Sequence, residues 1–226
     1  QFPVTQNIWE LVMGYNKSHF KYREDELHQN KDATFNMVGS NVIDIMKMWS
    51  PMGVVEGTIP SMIHNIGFDK GHFPIESVTH DEAMEFVRRL SKMTNLQFAL
   101  PTEDEWEYAA RGGQKSKHYR FAGSDNIDEI AWYRENANRS THPVGEKQPN
   151  ELGIYDMCGN VWEWTETPAH SYSIDVEPEG NCFIRRGGSW WHEEKNCRVS
   201  RRYASDHSKK TSGLGLRLII RKSIER

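Results

Sequence analysis

The sequence predicts an α+β fold, and three observations carry that expectation. Two segments, from Thr79 to Leu90 and from Pro101 to Ala110, open on capping boxes and continue as amphipathic helices. Helical periodicity fades after Gly113, where Gly, Pro, Asn and Trp become frequent. Two later runs, Phe183-Ile184-Arg185-Arg186 and Leu214 to Ile220, then read as strands. Helices first and strands afterwards is an α+β order.

Taken in order, the chain opens with a short helix. Thr5 is placed to cap it, Ile8, Trp9, Val12 and Met13 form its apolar face, and Gly14 stops it. Residues from about Lys21 to Gly71 lack clean periodicity and read as an insertion with some structure of its own; Asn41 to Met48 fits either a strand or a short helix. In the second helix Thr79 is the cap, Glu82 reaches back, and Ala83, Phe86, Val87 and Leu90 face inward, leaving His80 and Asp81 as first-turn surface residues. The third starts at Thr102, buries Trp106, Ala109 and Ala110, and ends at Gly112-Gly113. Its acids suit the helix dipole and need no catalytic explanation. With no tandem repeat and no low-complexity linker, residues 1–226 read as a single domain with an insertion at about 21–71.

Composition narrows the function classes. A net charge of -4 gives no electrostatic reason to expect nucleic acid. No apolar run approaches the roughly 20 residues that cross a membrane. The start at Gln1-Phe2-Pro3, without Met, suits a processed protein at the cell surface or outside the cytoplasm, held by a lipid anchor outside this chain. The three cysteines, Cys158, Cys182 and Cys197, fit three reduced thiols or one pair with a leftover thiol, and none is spaced as a metal-ligand pair.

Four segments in order resemble the sulfatase-modifying-factor superfamily, which includes the formylglycine-generating enzymes. They are Pro3-Val4-Thr5-Gln6; Leu100-Pro101-Thr102-Glu103-Asp104-Glu105-Trp106 through Gly113; Asn150-Glu151-Leu152-Gly153 through Gly159-Asn160-Val161-Trp162-Glu163-Trp164; and Arg186-Gly187-Gly188-Ser189-Trp190 through Gly215-Leu216-Arg217. The resemblance implies a C-type lectin-like fold with much irregular structure. It also implies a calcium site. Asp156, Gly159, Val161 and Glu163 match positions that hold calcium through two carboxylates and two backbone carbonyls, all oxygen donors.

Catalysis is where this chain departs. Enzymes of this family use two cysteines after the Gly-Gly-Ser-aromatic motif, and the pair holds copper. Aligned through Gly188-Ser189-Trp190, the first position is His192 and only the second, Cys197, is a thiol. Copper(I) favours thiolate pairs, so copper is not expected, and Cys197 is expected in the core. The sulfoxide synthases of this fold use iron-binding histidines from a second domain, and no such cluster or domain is visible in the sequence.

The C-terminal segment alternates framework with polar blocks. Gly187, Gly188, Trp190, Leu214, Gly215 and Leu218 read as framework, with Gly187-Gly188 permitting a close backbone approach before Trp190. Trp191, His192, Glu193, Glu194, Asn196, Arg201, Tyr203, Ala204, Ser205, Asp206, His207, Ser208, Thr211 and Ser212 read as a ligand-binding face, of which Trp191, His192, Glu193, Tyr203, Ser205, Asp206 and His207 are expected to be mostly exposed and clustered. Trp191, His192, Tyr203 and His207 are its anchors. This layout resembles the variable proteins of diversity-generating retroelements, of the treponemal type. The expected function is a non-catalytic, monomeric binding protein. It would present a diversified or fixed C-terminal site to an unknown protein or surface ligand. The alternatives are a metal-dependent oxidase related to the formylglycine-generating enzymes or sulfoxide synthases, and an accessory lipoprotein of an envelope complex.

Overall fold

The computed structural model describes residues 2–20, 72–169 and 181–221. The expected insertion, Asn41 to Met48 within it and His64 lie outside the described residues. The elements are α1 (Gln6–Met13), α2 (His80–Thr94), β1 (Gln97–Ala99), α3 (Glu103–Ala110), α4 (Ile127–Ile130), β2 (Trp162–Pro168), β3 (Cys182–Arg186), β4 (Arg202–Asp206), β5 (Leu214–Leu216) and β6 (Ile219–Arg221).

Among the described residues, the central sheet runs β4-β3-β2-β5, and β1 pairs with β6 in a separate antiparallel ribbon. Strand β3 is antiparallel to both β2 and β4, whereas β2 and β5 are parallel. Alternation along β2 puts its residues on two faces, as the period of a strand requires. Trp162 and Trp164 join Trp9, Phe86, Leu90, Leu214 and Leu216 in one buried cluster beneath α1 and α2. Trp9 stacks on Phe86 at 5.1 Å. Glu163 turns the other way, towards Trp106 of α3, which sits in a second cluster with Phe121, Met157, Cys158, Cys197 and Val199.

The capping boxes at Thr79/Glu82 and Thr102/Glu105 are both formed. Thr5 occupies the N-cap of α1, but its hydroxyl makes no cap bond, a correction to the expected role. His80 also differs from expectation. It is 4% exposed, stacked on Phe183 at 3.6 Å, with Nε2 at 3.1 Å from the Thr165 carbonyl. The first turn of α2 packs against the sheet, so its first residue faces inward, while Asp81 stays exposed.

The run from Leu214 to Ile220 is two strands. Arg217 lies between them because its side chain is drawn inward, with Nε donating to Glu163 Oε2 at 2.7 Å. Arg186 is fully buried and pairs with Glu103 and Glu107 of α3, and Glu103 also binds Arg202. Glu103 is therefore a buried ion-pair partner, where the dipole alone was the expected explanation. Gly188 fits the expected close approach: its φ is +79°, and a Cβ there would lie 2.6 Å from Cys197 Sγ.

Candidate functional site

The candidate cleft is the group of side chains gathered where one end of the β2–β3–β4 face meets the loop after β3. Trp162 and Arg185 belong to adjacent strands, and Arg185 is the register partner of Tyr203 on β4. The Arg185 guanidinium consequently lies against two neighbouring rings, 5.1 Å from Trp162 and 4.6 Å from Tyr203, whose centroids are 6.2 Å apart. The loop folds His192 back over this group, its ring edge-on to Trp162 at 5.4 Å. Trp191, 50% exposed, lies 4.6 Å from the His192 ring.

The hydrogen bonds define the state of His192. Trp162 Nε1, which can only donate, lies 3.1 Å from His192 Nδ1. Ser189 Oγ lies 2.7 Å from the same nitrogen. Nδ1 is therefore the acceptor, and a neutral ring carries its proton on Nε2. Burial, together with the charges of Arg185, Arg201 and Arg134, lowers the pKa of this histidine to about 4. At neutral pH the ring is uncharged and offers an Nε2–H donor.

The other expected binding residues divide around this cleft. Glu193 pairs with Arg134 and Lys195, and Glu194 with Arg120, while the Asn196 amide closes a short turn on the Glu193 carbonyl. Arg201 is half-buried. Along β4, Tyr203 and Ser205 alternate with Ala204, and Ser205 is 8% exposed, so it is part of the interior and not of an exposed face. Asp206, His207 and Ser208 form a turn at the far end of β4. There His207 Nδ1 lies 2.8 Å from Asp81 and the His207 carbonyl accepts from His80 N–H. Thr211 and Ser212 line an open groove of about 550 Å³ with Lys17, His19, Ser77 and Lys210. The structure thus gathers Trp191, His192 and Tyr203 and places the His207 turn apart from them. Of the seven residues expected to be mostly exposed, only Trp191 is; Ser205 is buried and the other five are half-buried.

Sequence reasoning missed Arg185, Trp162, Ser189 and Trp190 as cleft residues. Trp190 was expected as framework, yet it is half-buried. Its Nε1 donates to the Ser212 carbonyl at 2.8 Å and its ring meets Phe20 edge-on at 5.2 Å, joining the cleft to the groove. Leu218 is half-buried as well, while Gly187, Gly188, Leu214 and Gly215 are buried framework. Two consecutive arginines on a strand were the available signal for Arg185, since one of them must face each side of the sheet.

Cys197 is fully buried, and burial pushes its thiol pKa well above the ordinary value. Cys158 is also buried, its thiol pushed up to about 12, and its Sγ accepts from Ala122 N–H at 3.3 Å. All three cysteines are buried thiols. At the expected calcium set, Asp156 has φ +55° and accepts from Gly145 N–H at 2.8 Å. Burial raises its pKa to about 6; Arg217 opposes that shift and Glu163 adds to it. Glu163 Oε2 is taken by Arg217 and Trp106, whereas its buried Oε1 has no hydrogen-bond partner.

A family model described as sulfatase-modifying factor enzyme 1-like domain matches residues 1–222. The chain belongs to this family. One relative within it is the chaperone protein LppX of Paenibacillus barcinonensis, 32% identical over 88% of this chain and 71% of that protein. The formylglycine-generating enzyme of Streptomyces coelicolor is 31% identical over 64% of this chain, and the match spans about half (51%) of the enzyme's length. Among solved structures, Treponema denticola variable protein 1 superposes with a TM-score of 0.67 at 25% identity, over 96% of this chain and 81% of that one. The α+β, lectin-like fold expected from the sequence is therefore the fold of this family.

Proposed function

We propose that this chain is a non-catalytic binding module whose ligand enters the cleft of Trp191, His192 and Tyr203. The observation that carries the reading is the fate of the catalytic pair's two positions. His192 stands at the first, neutral and locked by Ser189 and Trp162. Cys197 stands at the second, buried and held protonated. A protonated thiol is neither nucleophile nor copper ligand. Around them, rigid aromatic groups supply contact area at low entropy cost. A family member named a chaperone supports a polypeptide ligand, and one named a variable protein supports display of a changeable surface. A monomer outside the cytoplasm suits either role. The test is mass spectrometry of a cysteine-containing sulfatase-motif peptide after incubation with copper and reductant. No conversion to formylglycine is expected; turnover that disappears in Cys197→Ser would overturn the reading.

Calcium belongs to the same proposal. The donors fit a hard cation: Glu163 Oε1 is buried with nothing to bind, and Asp156 is a buried carboxylate whose charge is unfavourable without a counterion. Asp156 and Glu163 would hold the ion with the carbonyls of Gly159 and Val161, and its chemistry there is structural, neutralising the two carboxylates. Among the described residues no group of three or more His, Cys, Asp or Glu is placed for a metal, so backbone carbonyls are needed to complete the shell. Saturating calcium is expected to raise Tm relative to chelator, by linkage. Identical melting curves would remove calcium from the account. Acidification has the same sense. The folded pKa of Asp156 lies above its unfolded value, so its destabilising contribution is present at pH 7 and fades as pH falls through about 6 towards 4.

A further inference from the structure

Among the described residues, the buried arginines other than Arg185 are matched by carboxylates. Arg186 pairs with Glu103 and Glu107, and Arg217 with Glu163. Arg185 is the exception. It is 8% exposed, its Nε is buried without a hydrogen-bond partner, and it makes no ion pair among the described residues. The Trp162 and Tyr203 rings lie against it on adjoining sides, their centroids 6.2 Å apart. Ring faces attract a cation but accept nothing from its N–H groups, which lie in the guanidinium plane. A buried cation with unfilled donors is costly, and an acceptor arriving from outside relieves that cost.

We propose that Arg185 anchors a carboxylate of the ligand, received at the edge of its guanidinium beside Tyr203, with the His192 Nε2–H as a second donor. The inference rests on the cleft being the binding site. A carboxylate is planar and takes two parallel N–H bonds from a guanidinium fork. One buried cation balances one negative charge, which matches a carboxylate better than a dianionic phosphate. Glu193, the acid next to His192, is already paired with Arg134 and Lys195. The aromatic walls, with Trp191 at the mouth, suit a flat or apolar body beside the carboxylate. That acid could be a free organic acid or the C-terminus of a polypeptide.

The test is calorimetric titration of the full chain with benzoate, with N-acetylphenylalanine, and with the neutral amide of each. Both acids are expected to bind, and each amide about tenfold more weakly or worse, the worth of a charge-assisted hydrogen bond. The tighter acid identifies the source. Arg185→Gln is expected to abolish acid binding while its Tm stays level or rises, because an unmatched buried charge has gone. An arginine that serves packing alone would give the reverse, a lower Tm and unchanged binding. Amides binding as well as acids, Arg185→Gln binding acids normally, or neither acid binding the native chain each overturns the proposal. If a ligand without a carboxylate binds and depends on Trp191, the cleft remains a binding site and only the carboxylate inference falls.

Discussion

Glu163→Gln is expected to be among the most damaging single substitutions in this protein. Glu163 is 1% exposed and its Oε2 receives both the Arg217 guanidinium and the Trp106 indole N–H. The amide keeps the shape and loses the charge, leaving Arg217, itself 6% exposed, as an uncompensated buried cation. Breaking a buried pair from one side costs about 3–5 kcal/mol. For a domain of this size that lowers Tm by roughly 6–20 °C. Replacing both partners, Glu163→Gln with Arg217→Met, is expected to recover part of the loss, because the unmatched guanidinium is then removed from the interior. Denaturant unfolding of the three variants decides the matter. A loss below about 1 kcal/mol for Glu163→Gln, the size of an exposed pair, would show that the site is solvated.

Gly159→Ala is expected to be comparably severe, for a backbone reason. Gly159 has φ +72°, and a Cβ there would lie 2.2 Å from the Trp132 carbonyl oxygen. That carbonyl is fixed by Asn160 N–H at 2.6 Å, and Gly159 N–H is bound to the Gly187 carbonyl, so neither chain is free to yield. The left-handed conformation costs a non-glycine residue about 1–2 kcal/mol and overpacking about 1–3 more, so roughly 2–5 kcal/mol is expected. The measurement is again the unfolding midpoint at constant m. Because the loop to Gly187 leads into the cleft, ligand binding is expected to weaken together with stability.

Local signals were readable wherever the cause is local. Thr79/Glu82 and Thr102/Glu105 announce their helices because a capping box closes within one turn. Gly188 could be read as a close approach because only glycine tolerates it. What failed depends on partners distant in sequence. His80 looked like a surface residue until Phe183 was seen lying on it. Leu214 to Ile220 read as one strand because nothing nearby reveals that Arg217 must turn inward to Glu163. The polar blocks of the C-terminal segment concealed β4, whose identity comes from pairing with β3. The cleft was half legible: Trp191, His192 and Tyr203 were selected by type, whereas Arg185 emerges only from the register that sets it opposite Tyr203.

On the proposed reading, Trp191 binds ligand and has no part in holding the fold. Trp191 is 50% exposed, so Trp191→Ala is expected to move stability by no more than about 0.5 kcal/mol. The direct measurement is the binding of native chain and Trp191→Ala to one array of peptides and small acids, with a melting curve for each protein. The account expects ligands that the native chain retains and the variant loses, at an unchanged Tm. Ligands held equally by both proteins would contradict it.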